Sequence, residues 1–282
     1  MFLKKKIVSI ILGRSVKDLL IIFCEIFSKF MAVPEMVGLR VRKKTLLGDK
    51  NEIIYLPFDK YITWWVIKEG EYKHFFINSI KKTKQKIIFV DIGANTGLIS
   101  KQVYNLKKEK ADIYCFEPDS TNFQCLKLNV GAFAKCYNFG LSDKDKKKVL
   151  YKFNNNHGRS TLLKKRNFSK TENIFVKDIN NQLKKIFIKK LKNTEVFIKF
   201  DTEGYDLFLI SLLNNEILNK VDCICFEYQS LNNYPFNKKK LSNSLNYFNT
   251  IISENEKLID YKEIINLSMK GQKDIIIRKS VF

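Results

Sequence analysis

Histidine occurs twice, proline four times and glycine eleven times in the 282 residues of this chain. So little glycine and proline leaves no material for a long flexible linker between domains. The two histidines, and six cysteines with no pair in C-x-x-C spacing, supply no recognisable zinc set. Carboxylates are scarce too, with 29 Asp+Glu against 51 Lys+Arg and a formal charge of +22. The basic runs are scattered, at Lys4–Lys6, Lys81-Lys82, Lys107–Lys110, Lys146–Lys148 and Lys238–Lys240, and none interleaves with aromatics. That pattern argues against a nucleic-acid stacking platform and suits an anionic membrane surface or an acidic substrate better. Long apolar runs are also missing. Ile7–Leu12 is broken by Gly13-Arg14, and Leu19–Phe23 is followed by Glu25 and Lys29, far short of the roughly 20 residues that cross a bilayer.

What is present divides at about residue 65. The N-terminal part, 1–65, reads as an extension with an amphipathic helix from about Val16 to Met31. Leu19, Ile22, Phe23, Ile26, Phe27 and Phe30 share one face of that helix, which either docks on the main domain or lies on an anionic membrane. Short strand-like pieces follow, GLRVRKK and NEIIYLPFDKYITWW. Residues 66–282 open with a helical pattern over Glu69–Ile80 and then alternate. Strands are expected at 87–91, 112–116, 134–139, 195–200 and 221–227, and helices at 97–107, 119–129, 205–215 and 238–252. Strands apolar along nearly their whole length imply a parallel sheet covered on both faces. The tail, Lys257–Leu267 and Asp274–Arg278 joined through MKGQK, reads as an antiparallel hairpin at one edge. Cys115, Cys223 and Cys225 fall inside apolar strands, where free cysteine packs as a small hydrophobe, so a reduced, cytoplasmic setting is expected.

The stretch IIFVDIGANTGLIS, Ile87–Ser100, is a strand turning into a helix around two glycines. A dinucleotide turn would need G-x-G-x-x-G, and Asn95 stands where its second glycine belongs. A P-loop would need Lys after the last glycine, and none follows Gly97. Asp91 at the strand end disfavours phosphate and suits a ligand ammonium, while free N–H groups at the helix start suit a carboxylate. Twenty residues past Gly97, Glu117 closes the second strand, where a carboxylate accepts from vicinal ribose hydroxyls. Pro118 holds Glu117 extended. An amino acid joined to a ribose describes S-adenosylmethionine. Asp91, Gly93, Ala94, Asn95, Gly97, Glu117 and Pro118 are therefore candidate cofactor residues. The competing reading is an ordinary βαβ turn with an incidental acid.

VDIGANTG, FEPD followed by Asn122 and Asn129, and IKFDTEGYD stand in that order over about residues 70–230, and together they resemble the FkbM-type methyltransferases. The resemblance implies a class I methyltransferase fold, a Rossmann-like seven-stranded sheet with its last strand antiparallel. It also implies O-methylation of sugar or polyketide-derived hydroxyls using S-adenosylmethionine. In that class the loop after the third strand borders the adenine, which makes Ser142 and Asp143 cofactor candidates.

Methyl transfer to a hydroxyl needs alignment and gains from a base. Asp201 and Glu203 follow strand 195–200 and are the leading acids, with Asp201 also bordering the cofactor; either could instead cap the next helix. Glu227 ends the neighbouring strand, and Lys199 pairs with an acid or reaches solvent. His157, beside Arg159 in FNNNHGRSTLL, is a candidate on a substrate loop, whereas His74 reads as structural. No metal site is expected. The acceptor expected is a small molecule or glycan, with a nucleic-acid methyltransferase and a non-catalytic cofactor-binding module as alternatives. No N-P-P-Y or D-P-P-Y follows the fourth strand, which weighs against amine methylation.

Overall fold

The structure is a computed structural model and describes residues 36–279, apart from 42–43, 58–60, 64–65, 67–73, 154–155, 165–166, 189, 232 and 254–256. The amphipathic helix expected at 16–31 and the first half of the helix expected at 69–80 lie outside these residues. Among the described residues, no helix is long and apolar enough to cross a membrane.

Two strands, β1 (Met36–Arg40) and β2 (Ile53–Pro57), pair antiparallel. A short helix α1 (Phe76–Lys82) then leads into the alternating part. Its elements are β3 (Lys86–Ile92), α2 (Leu98–Lys107), β4 (Ala111–Phe116), α3 (Ser120–Val130) and β5 (Ala134–Tyr137). An inserted sheet comprises β6 (Gly140–Ser142), β7 (Lys146–Lys152) and β8 (Lys170–Asp178). The chain returns through α4 (Ile179–Phe187), β9 (Thr194–Phe200), α5 (Asp206–Leu212), α6 (Asn215–Lys220) and β10 (Cys223–Gln229). It ends with α7 (Lys238–Leu245), β11 (Thr250–Ser253), α8 (Tyr261–Ile265) and β12 (Gln272–Arg278).

The main sheet runs β11-β12-β10-β9-β3-β4-β5. β12 lies antiparallel to both neighbours, and the other pairings are parallel. This is the class I methyltransferase order. Alternate residues of single strands go to opposite cores. Ile88, Val90, Val196, Ile198 and Ile224 pack under α4–α7, while Ile87, Phe89, Phe197, Cys223 and Cys225 pack under α1–α3. Burial on both faces is why these strands read as unbroken apolar runs. The described cysteines are all free.

Three boundaries differ from the sequence reading. The helix expected over 238–252 stops at Leu245, and TIIS turns into β11, the edge strand that pairs with β12. The stretch expected as the first hairpin strand, 257–267, instead carries α8 and one isolated bridge at Leu258. The charged insert holds the β7–β8 hairpin, whose segments flanking FNNNHGRSTLL read as hairpin-like, and also α4, which was not expected.

Candidate functional site

The C-terminal ends of β3, β4 and β9 open onto one cleft. Its wall includes Gly93, Asn95, Glu117, Pro118, Asn122, His157, Asp201 and Tyr205, and Leu150 and Leu162 of the insert close one side. The site thus sits where an open α/β sheet binds ligands, beyond the strand ends.

The β3–α2 turn is held by main-chain bonds. Gly93 and Ala94 both donate to the Phe116 carbonyl at 3.0 Å, and Asn95 N–H donates to Glu117 Oε2 at 2.7 Å. Gly93 has φ +76°, and a Cβ there would lie 1.9 Å from the Asp201 carbonyl oxygen. Only glycine lets β3 and β9 end this close together. Gly97, at φ +80° before α2, leaves no room for a Cβ beside Leu126, so its role is helix packing. Asn95 tolerates the left-handed region at φ 51°.

Glu117 has both oxygens engaged, the second by Asp119 N–H at 2.8 Å. Burial, then the charge of Asp119, pushes its carboxyl up to about 8, against the pull of those two N–H donors. The residue lines the cleft, and its carboxyl oxygens have lone pairs left to accept hydroxyls. Two carbonyl oxygens in the wall, Asn95 Oδ1 and Asn122 Oδ1, are buried with no hydrogen-bond partner. Asn122 is 1% exposed. A buried acceptor without a donor costs on the order of 1–3 kcal/mol, so these atoms fit a ligand that brings donors of its own.

Asp91 does not line this cleft. It is fully buried, accepting from Ser100 Oγ at 2.7 Å and from Lys199 Nζ at 3.3 Å. Burial raises its carboxyl, and the Lys199 charge opposes that rise. The structure thus places the carboxylate expected to meet a ligand ammonium against a lysine of this chain, behind the cleft wall. Ala94 is likewise buried behind the turn. Ser142 and Asp143 are not in the wall either, because Ser142 turns inward to Tyr205 Oη at 3.0 Å and Asp143 outward to Lys146 at 2.6 Å. Gly140 and Leu141, just before them, line the cleft instead.

On the other side, Lys199 is buried and bridges Asp91 to Asp201 Oδ2, 3.1 Å away. No described residue bonds Asp201 Oδ1, and the side chain is 37% exposed. Neither Asp201 nor Glu203 caps α5. Asp206 accepts from Thr202 N–H at 2.9 Å, and burial lifts its carboxyl to about 8. Glu203 sits outside the wall at φ 54°, a strained value for a side chain of its size. It nonetheless meets Asp201 and Glu227, the three offering carboxylate oxygens within 4.8 Å of one another. Glu227 was expected at the end of the neighbouring strand on the same rim as Asp201, while no cluster of acids was expected from spacing. The trio has the spacing to hold a cation, and equally to hold the hydroxyls of an acceptor. Burial, then Asp201 and Glu203, pushes Glu227 up to about 9, and Gln229 and Gln272 donate to it.

His157 lines the cleft, and its carbonyl accepts from Asn122 Nδ2 at 3.0 Å. His74 is nearer the charged centre than its helical setting suggested. Phe76 N–H donates to Nδ1, leaving the proton on Nε2, 3.3 Å from Asp274 Oδ2. Burial, then Lys199, lowers its pKa to about 4, partly offset by Asp201. Asn122 and Tyr205 were missed as site residues; both carried a signal, their places in or beside the family-like stretches FEPD and IKFDTEGYD.

The family model "Methyltransferase FkbM domain" matches residues 91–260, more than half the chain. No curated protein sequence matches significantly. Among solved structures, the chain is similar to a TehB-like SAM-dependent methyltransferase from Corynebacterium glutamicum, at 10% identity and TM-score 0.40, covering 78% of this chain and 96% of that one. It is similar to M. capricolum TrmK in complex with S-adenosyl-homocysteine, at 12% identity and TM-score 0.35, covering 74% and 70%. A precorrin-6y C5,15-methyltransferase from Geobacter metallireducens is similar at 11% identity and TM-score 0.32, covering 73% and 86%. Scores this low say nothing of what this chain acts on.

Proposed function

The chain belongs to the FkbM methyltransferase family, and from that premise we propose that it methylates a hydroxyl of a saccharide. It is a methyltransferase that depends on S-adenosylmethionine. Hydroxyl chemistry is supported above all by Asp201, a carboxylate on the cleft wall with Oδ2 tied to Lys199 and Oδ1 open. Such a group can take the proton of an alcohol, whereas an amine acceptor has a lone pair already available.

Glu117, Asn95, Asn122 and Gly93 would hold the cofactor, which when bound supplies an electrophilic methyl group on sulfur. Glu117 accepts hydroxyls, and Gly93 keeps the floor of the cleft free of side chain. Asn122 offers its bare Oδ1 to a donor. Asp201 orients the acceptor hydroxyl and receives its proton at Oδ1. Glu203 and Glu227 frame the same rim, where a protonated Glu227 can donate to an acceptor oxygen. Leu150 and Leu162 exclude water from the insert side. A carboxylate rim suits a neutral polyol at the reacting position, with any acidic groups of a glycan held further off by the basic surface.

Incubation of the protein with labelled S-adenosylmethionine and host-cell extract, then fractionation into glycan, lipid, protein and RNA, tests this reading. Label in glycan is expected, and label confined to RNA or protein overturns it. Asp201→Asn should lower turnover by about 10²–10⁴ while S-adenosylhomocysteine still binds by calorimetry. Unchanged turnover would remove Asp201 as the base.

A further inference from the structure

The insert carries a second surface, on the side of its sheet away from the cleft. Along β7 and β8 the side chains alternate strictly. Leu150, Ile174 and Val176 point inward and form a small core with Leu162. The outward positions are Lys147, Val149 and Tyr151 on β7, paired with Phe175, Asn173 and Thr171 on β8. Phe175 is 59% exposed, Val149 39% and Phe168 38%, with Phe168 set edge-on against Tyr151. Val149 and Phe175 are diagonal neighbours on this face, so the apolar atoms form a patch and not scattered singles.

Cations flank the patch. Lys147 lies over the Phe175 ring at 5.5 Å, and Lys144, just before β7, and Lys164, in the β7–β8 connection, are exposed. None of the outward positions named is acidic. The carboxylates at the near end are engaged: Asp143 by Lys146, Asp145 by the Asp178 N–H, and Asp178 by the first turn of α4. The patch is thus an apolar centre with a basic margin.

We propose that this face docks on an anionic bilayer, with Phe175 and Val149 entering the headgroup boundary and the lysines against lipid phosphates. Nucleic acid fits it less well. Phe175 is capped by Lys147, Phe168 meets Tyr151 edge-on, and Val149 has no ring, so no open stacking platform exists. The position has a consequence for function. Leu150, one residue from Val149 and on the opposite face, lines the cleft, and Thr161 joins Tyr151 by backbone bonds and donates to the Glu203 carbonyl. A docked molecule would therefore hold its acceptor rim one sheet thickness from the lipid, within reach of a lipid-anchored acceptor. The docking itself does not depend on the saccharide reading.

The test is co-sedimentation of the full chain with phosphatidylglycerol–phosphatidylcholine vesicles and with phosphatidylcholine alone, over a salt series. Binding to the anionic vesicles only, weakening with salt, is expected. Phe175→Asp with Val149→Asp should lower partitioning at least tenfold. Lys147→Glu with Lys144→Glu should lower it about fivefold or more per lysine. Unchanged Tm and S-adenosylhomocysteine binding would show these variants to be folded. Failure of the full chain to sediment, or variants that sediment like the parent, overturns the proposal; in the latter case another segment holds the membrane. Retention on single-stranded RNA lost in the same variants, with vesicles ignored, would reassign the face to nucleic acid.

Discussion

On the β3–β4 side of the cleft the backbone does the holding: Gly93 and Ala94 bond the Phe116 carbonyl, and Asn95 and Asp119 bond Glu117. On the β9–β10 side, Asp201, Glu203 and Glu227 converge as carboxylates, one with a left-handed backbone and another kept in place by two glutamines. In the proposed function the first wall takes the cofactor, the same in every turnover, through main-chain geometry. The second would take the acceptor, through side chains whose charge state depends on their neighbours. Lys199 joins the two strands behind the cleft, through Asp91 of β3 and Asp201 after β9.

Breaking that bridge should have the largest effect. Lys199→Met leaves the fully buried Asp91 carboxyl without its counter-ion, at a cost of about 3–5 kcal/mol in chemical denaturation. Pairing it with Asp91→Asn removes the stranded charge and should recover most of the loss. A single-variant cost below about 1 kcal/mol would mean that the two walls are held independently.

Gly93→Ala strikes the backbone wall alone. Its Cβ would meet the Asp201 carbonyl at 1.9 Å, at a φ of +76° that side chains rarely adopt. A stability loss of about 3 kcal/mol is expected, with S-adenosylhomocysteine affinity in calorimetry down a hundredfold or more. Affinity within threefold of the parent would show that the turn can relax without losing the ligand.

Glu227 probes the carboxylate rim alone. Its folded pKa of about 9 stands above the ordinary 4.5, so its contribution to stability is fully present below 4.5 and is lost as pH rises through 9. The parent should therefore lose Tm between neutral and alkaline pH. Glu227→Gln should flatten that slope, by on the order of 2 kcal/mol at pH 8. Part of the slope should remain, because burial also lifts Glu117 and Asp206 to about 8. Parallel curves would exclude Glu227 as a source.

The same contrast governs what could be read without coordinates. The backbone wall lies within one strand–turn–helix unit and the end of the next strand, so Gly93, Asn95 and Glu117 announced themselves by spacing. The β3, β4, β9 and β10 runs were legible because a strand buried on both faces has no polar alternation to confuse it. The rim was legible as neighbouring strand ends, but the convergence of Glu203 and Glu227 on Asp201 needed β10 packed beside β9. The engagement of Asp91 was not legible for the same reason: its partner Lys199 is 108 residues away. β11 is four residues long after a helix of similar composition, too short for periodicity to separate the two. Ser142 shows the limit of the resemblance, which fixes the loop near the cofactor but not which of its side chains turns inward.

The smallest effect belongs to His74, at the margin of the charged rim and outside the cleft wall. Its folded pKa of about 4 is below the ordinary 6.5, because burial and then the Lys199 charge disfavour the imidazolium. Its contribution is present above pH 6.5 and is lost as pH falls through 4. At pH 5.5 the linkage amounts to about 1 kcal/mol. His74→Gln should remove that acid limb while leaving S-adenosylhomocysteine affinity unchanged, since the ring bonds Asp274 and the Phe76 N–H and does not line the cleft. If instead the variant weakens cofactor binding at neutral pH, the influence of Lys199 extends through His74 into the backbone wall, and the two sides of the cleft are less separate than their bonding implies.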